Sequence, residues 1–118
     1  MNERRWVRVT RRDNVPVREG RAVMLARREI ALFNLGDRFL ATDNRCPHKG
    51  GPLCDGIVAG DSVVCPLHGW KVRLDSGMVE GPASSGACVA TYPTRIEDGI
   101  VCVELPVSLF EAREREVA

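Results

Sequence analysis

The sequence predicts an all-β protein, a β-sandwich base with a smaller lobe inserted into it. Three observations predict this. Short apolar runs recur along the chain, separated by Gly, Pro, Asn and Asp. Asp98-Gly99, between two alternating segments, is the strongest hairpin signal in the chain. The texture changes after Asp43, where residues 44–56 become rich in Gly and Pro and the apolar runs that follow shorten.

Taken in order, Arg5-Trp6-Val7-Arg8-Val9 alternates and reads as a strand. Ala22 to Ala26 and Ile30 to Leu35 follow, and Gly36-Asp37 turns the chain into Phe39-Leu40-Ala41-Thr42. After the 44–56 loop, Ile57-Val58 and Ser62 to Cys65 flank a hairpin turn at Ala59-Gly60-Asp61. Trp70 to Leu74 and Met78-Val79-Glu80 flank another turn at Asp75-Ser76-Gly77. Gly81 to Gly86 is a flexible link. Ala87 to Tyr92 and Thr94 to Glu97 form one broken strand, and Ile100 to Leu105 returns from Asp98-Gly99. These readings make residues 1–105 a single domain, with the lobe at about 43–80, and residues 106–118 a C-terminal tail. The base is built from the N-terminal strands and residues 87–105.

A chain of 118 residues can bury its own core, and 44% apolar with 28% charged residues is ordinary for a globular protein. A net charge of +1 gives no reason to expect nucleic acid as a partner. Residues 1–28 hold nine Arg against three acids, a charge that folding strands back on one another would intermix with the acidic remainder. No run of about 18 apolar residues exists to span a membrane. The first residues, MNERRWVRVTRR, lack the apolar segment of a secretion signal. Five cysteines is an odd count, and the expected location is cytoplasmic and reducing.

The chemistry concentrates in two short segments. Cys46-Pro47-His48 and Cys65-Pro66-Leu67-His68 contain both histidines of the chain, with sixteen residues between His48 and Cys65. Two soft thiolates and two imidazoles form a metal-ligand set. Zinc takes Cys2His2 sets too, but its motifs more often place like ligands together, as C-x2–4-C and H-x3–5-H. Here each loop pairs one Cys with one His, which suits a two-iron cluster in which each loop gives its Cys to one iron and its His to the other. Pro47 and Pro66 stiffen the loops, and Gly50, Gly51 and Gly69 allow close backbone approach or simple turning. Lys49 is either a guide for a partner or a solvated side chain. Trp70 either shields the cluster or anchors the lobe, and anchoring is favoured. Cys88 and Cys102 read as small buried hydrophobes in apolar strands, and Cys54 as a packed turn residue. The chain has no G-x-G-x-x-G fingerprint and no spare His or carboxylate cluster, so no catalytic residue is assigned.

The C-x-H and C-x-x-H motifs, in this order and at this spacing, resemble the Rieske iron–sulfur proteins. The resemblance covers most of residues 30–105. Within the family the sequence is most similar to the small subunit of bacterial NAD(P)H-dependent assimilatory nitrite reductase. That likeness rests on Cys46 to Leu53, Asp55 to Val58, Gly60-Asp61, Val64 to His68, Trp70-Lys71 and, above all, Thr91 to Gly99. The resemblance implies a Rieske-type domain with one 2Fe–2S cluster on Cys46, His48, Cys65 and His68. It implies one-electron transfer within a nitrite reductase whose large subunit holds flavin and sirohaem. A free-standing Rieske ferredoxin, working with a ring-hydroxylating oxygenase and its reductase, is the alternative. A structural module with zinc or empty loops is the third. The high-potential respiratory members carry a disulfide where this chain has Gly51 and Leu67, and Ser and Tyr hydroxyls where it has Trp70 and Val72. The resemblance therefore implies the low-potential form.

Overall fold

The computed structural model describes residues 3–46, 51–67, 69–80 and 87–108. Among these, eleven strands pair antiparallel into three sheets. In the first sheet β1 (Arg4–Arg11), β11 (Ile100–Pro106) and β10 (Thr94–Glu97) lie in that order. The second orders β2 (Gly20–Leu25), β3 (Arg28–Asn34), β4 (Phe39–Asp43) and β9 (Thr91–Tyr92). The third orders β5 (Ile57–Ala59), β6 (Ser62–Val64), β7 (Lys71–Arg73) and β8 (Val79–Glu80).

The middle strand of this arrangement is β3. Successive side chains on a strand point to opposite faces. Ile30 and Leu32 therefore enter one core with Val101, Val103 and Leu105 of β11, while Ala31 and Phe33 enter another with Val63 and Val72 of the third sheet. A strand buried on both faces reads as an unbroken apolar run, which is why Ile30 to Phe33 shows no alternation. Phe33 is fully buried, a contribution of about 2–3 kcal/mol from its side chain alone. The second sheet thus lies between two cores, one shared with the first sheet and one with the third.

The hairpin predicted at Asp98-Gly99 is present, with φ of 52° and 77° at its two central residues. An equivalent turn joins β2 to β3 through Ala26 and Arg27, at φ 51° and 67°, without the Asn or Gly that announces such turns. Residues 87–97 correct the expectation of one broken strand. Residues 87–90 make a single bridge, Cys88 to Met78, and Pro93 separates β9 in the second sheet from β10 in the first. Proline has no N–H for a ladder, and only its carbonyl is used, accepting from Glu104 N–H at 2.9 Å. Ion pairs Arg4–Glu104 and Arg28–Asp43 bring basic N-terminal residues onto later acids, as strand return requires. The predicted link at 81–86 and the tail beyond residue 108 lie outside the described residues. Among the described residues no helix is long and apolar enough to cross a membrane.

Candidate metal centre

Cys46 follows β4 by three residues, and Cys65 directly follows β6. The two segments close in the same way. The Cys46 N–H donates to the Gly51 carbonyl at 2.8 Å, and the Cys65 N–H donates to the Trp70 carbonyl at 2.7 Å. In both, the cysteine amide reaches a carbonyl five residues further on. The second loop is tightened further by Gly69, whose N–H donates to the Cys65 carbonyl at 3.0 Å and whose φ is +72°. That left-handed conformation is one that only glycine adopts without strain.

Cys46 and Cys65 are each 2% exposed and belong to one core, the one between the second and third sheets. The loops touch. A Cβ placed on Gly51 would lie 2.9 Å from Leu67 Cγ and 3.2 Å from Cys65 Sγ. Glycine at position 51 thus suits the close approach of the first loop to Leu67 and to the sulfur of the second. No cysteine is in a disulfide. One soft donor at the base of each of two touching loops fits a group held between the loops, and fits it better than a centre held by one loop alone. His48 and His68 lie outside the described residues, as do Pro47, Lys49 and Gly50. Among the described residues no group of three or more His, Cys, Asp or Glu side chains comes together.

Trp70 is half-buried against the core that contains Cys46 and Cys65, which agrees with an anchoring role for its ring. Val72 is fully buried in that core and has no hydroxyl to offer a metal ligand. Leu67 lies at the outer end of the second loop and is 56% exposed. Cys102 is buried as predicted. Cys88 is exposed, against expectation, and its segment makes one bridge instead of a strand. Cys54 sits in a 3-10 turn, Leu53–Asp55, half-buried beside the same core, and burial pushes its thiol pKa up. Sequence reasoning missed Asn44, which is 4% exposed and bonded to Cys54 by both ends of its amide. An Asn beside a Gly- and Pro-rich stretch reads as one more turn residue, and nothing local distinguishes it.

Two buried cysteines on touching loops, over the core between two antiparallel sheets, define a domain with a pair of soft donors where its loops meet. The Rieske [2Fe-2S] domain model matches residues 5–93, so the chain belongs to that family, carries a Rieske-type 2Fe–2S cluster and works in electron transfer. Among curated relatives, the 3-phenylpropionate/cinnamic acid dioxygenase ferredoxin subunit of Escherichia coli is 37% identical over 79 residues, covering 65% of this chain and 73% of its own. Among solved structures, the Sphingomonas yanoikuyae ferredoxin is 30% identical with a TM-score of 0.77, covering 86% of this chain and all of its own. A Mycobacterium tuberculosis chain assigned as the small subunit of an NADH-dependent nitrite reductase is 25% identical with a TM-score of 0.78, covering 88% of this chain and 97% of its own.

Proposed function

We propose that this protein is a diffusible cytoplasmic Rieske ferredoxin that carries single electrons from a reductase to an oxygenase, with its cluster on Cys46, His48, Cys65 and His68. The observation that carries the reading is the 37% identity to the E. coli dioxygenase ferredoxin subunit, against 25% to the M. tuberculosis chain. The sequence-based expectation ranked these two partners the other way, on the Thr91–Gly99 segment. That segment supplies β9, Pro93, β10 and the Asp98-Gly99 turn, and these hold the base together. A segment with that structural task is a weak guide to a partner.

The cluster, when bound, takes up and releases one electron. The chain's own residues set the conditions for this. Burial of Cys46 and Cys65 keeps water from the sulfurs. Trp70 and Val72 give no hydroxyl to bond to the cluster or its ligands, which keeps the potential at the low end of the Rieske range, about −150 mV. Leu67 presents an uncharged, exposed side chain beside the Gly51 contact, suited to a partner met and released quickly.

The second reading, a nitrite reductase small subunit, is supported by the fold likeness to the M. tuberculosis chain. Purification of the chain from its native cell, combined with rapid-mixing kinetics, separates the two. The ferredoxin reading expects an isolated reddish-brown protein that reoxidises on mixing with an oxygenase component. A stoichiometric complex with a subunit containing flavin and sirohaem would overturn it. A colourless zinc protein would overturn both.

A further inference from the structure

The two cysteine loops are closed at their necks by different means. The second loop springs from β6 and β7, which pair with each other, Val64 opposite Lys71, so a backbone ladder holds its ends together. The first loop has no such ladder. It leaves β4 in the second sheet and arrives at the 3-10 turn that leads into β5 in the third sheet. Its ends belong to different layers, and among the described residues no strand pair joins them.

The Asn44 side chain joins them. The Asn44 backbone is fixed to the second sheet, its N–H donating to the Glu29 carbonyl at 3.0 Å, next to Asp43 N–H on the Ala90 carbonyl at 3.0 Å. From there its amide spans to Cys54. Asn44 Oδ1 accepts the Cys54 N–H at 2.7 Å, and Asn44 Nδ2 donates to Cys54 Sγ at 3.2 Å. The amide is satisfied at both ends, in a residue that is 4% exposed. Cys54 in turn packs on the core that holds Cys46 and Cys65. The loop is therefore closed twice, by Asn44–Cys54 outside and by Cys46–Gly51 inside. Ladder pairs exchange a backbone donor and acceptor, and here the carboxamide provides both in place of a partner strand.

We propose that Asn44 is a positioning residue for the cluster, a side-chain substitute for strand pairing that holds the first ligand loop in register with the second. The proposal rests on the assignment of Cys46 as a ligand and is independent of the identity of the redox partner. It also gives Cys54 a purpose as the latch for Asn44, without making it a ligand.

The test uses the cluster-loaded chain and reads iron release to a ferrous chelator, together with the electron paramagnetic resonance spectrum of the reduced protein. Asn44→Ala should release iron roughly 10–100-fold faster than wild type, the range for residues that orient metal ligands, and should broaden the spectrum. Cys54→Ser keeps the backbone N–H for Asn44 Oδ1 and puts a hydroxyl oxygen where the sulfur accepts from Nδ2, so it should match wild type in both. An Ala variant that holds iron as long as wild type with an unchanged spectrum overturns the proposal. So does a Cys54→Ser variant as labile as the Ala variant. If Asn44→Ala does not fold, Asn44→Ser, too short to reach both atoms of Cys54, takes its place under the same criteria. The ligand assignment fails separately: a Cys46→Ser chain that retains its iron would refute it whatever Asn44 does.

Discussion

At Cys46 and Cys65, each 2% exposed, a thiolate has little water to solvate it. A buried anion of this kind is stable when a metal compensates its charge. Serine at either position replaces a soft donor with a hard one. Cys46→Ser and Cys65→Ser should abolish the cluster, and His48→Ala and His68→Ala should leave it labile. Iron and sulfide, about two of each per chain in the wild type, are the measurement. Unchanged content in any variant would remove that residue from the ligand set. The other three thiols differ from one another. Cys88 is exposed, Cys54 is half-buried with its pKa pushed up by burial and Cys102 is 2% exposed. Alkylation of the loaded protein, followed by peptide mass mapping, should label Cys88 first, Cys54 slowly and only as the pH rises, and Cys102 after unfolding. Labelling of Cys102 as fast as Cys88 would mean that the first sheet opens at that point. Residue types announced the candidate ligands, whereas exposure of Cys88 depended on whether its segment found a strand partner.

At the level of elements, the turn at Gly77 is one of the ties between the lobe and the base. Gly77 takes φ +79°, its N–H donates to the Arg73 carbonyl at 2.8 Å and its carbonyl accepts the Val89 N–H at 2.8 Å. A Cβ there would meet the Val89 carbonyl oxygen at 2.0 Å, a backbone atom that cannot step aside. Gly60 also has positive φ, +60°, but nothing within 4 Å of a Cβ. Gly77→Ala should cost about 2–4 kcal/mol of stability, combining conformational strain with steric clash. Gly60→Ala should cost about 1 kcal/mol, the strain alone. Denaturant melts of the two variants check the difference, and equal costs would show that the Val89 backbone yields. Both turns were legible because Gly60-Asp61 and Ser76-Gly77 announce them. The turn at Ala26-Arg27 was not, since neither residue favours positive φ and the register of β2 on β3 imposes it.

Across the whole molecule, one network crosses the second sheet from strand to strand. The Tyr92 hydroxyl on β9 donates to Asp43 Oδ1 on β4 at 2.6 Å, and Arg28 of β3 donates from Nε to the Tyr92 oxygen at 3.3 Å. Burial, more than any other influence, pushes the Tyr92 phenol above its ordinary value. The folded chain therefore holds the phenolic proton to higher pH than the unfolded chain does. The stability this contributes is complete below the ordinary tyrosine value, about 10, and is lost as pH rises through the folded value. Thermal melts should fall in that alkaline window, and Tyr92→Phe should flatten this part of the fall. It is the only tyrosine in the chain, so tyrosinate absorbance reads it directly. A phenol titrating at its ordinary value in the folded protein would contradict the burial.

The sequence by itself determined the chemistry and most of the strands. Ligand identity is a matter of residue type and spacing, and pairing each Cys with a His in one short loop already separates a two-iron cluster from common zinc motifs. Strand and turn signals are local for the same reason, since they follow from side-chain period and φ preference. Tertiary structure decided what depends on neighbours far along the chain. It placed β9 and β10, two residues apart, in different sheets, because Pro93 cannot extend a ladder. It brought Gly51 against Cys65, fourteen residues away, and made Asn44 the closure of a loop whose ends lie in different layers. None of these contacts has a periodic signature, because each joins segments whose separation is set by packing and not by the repeat of a strand.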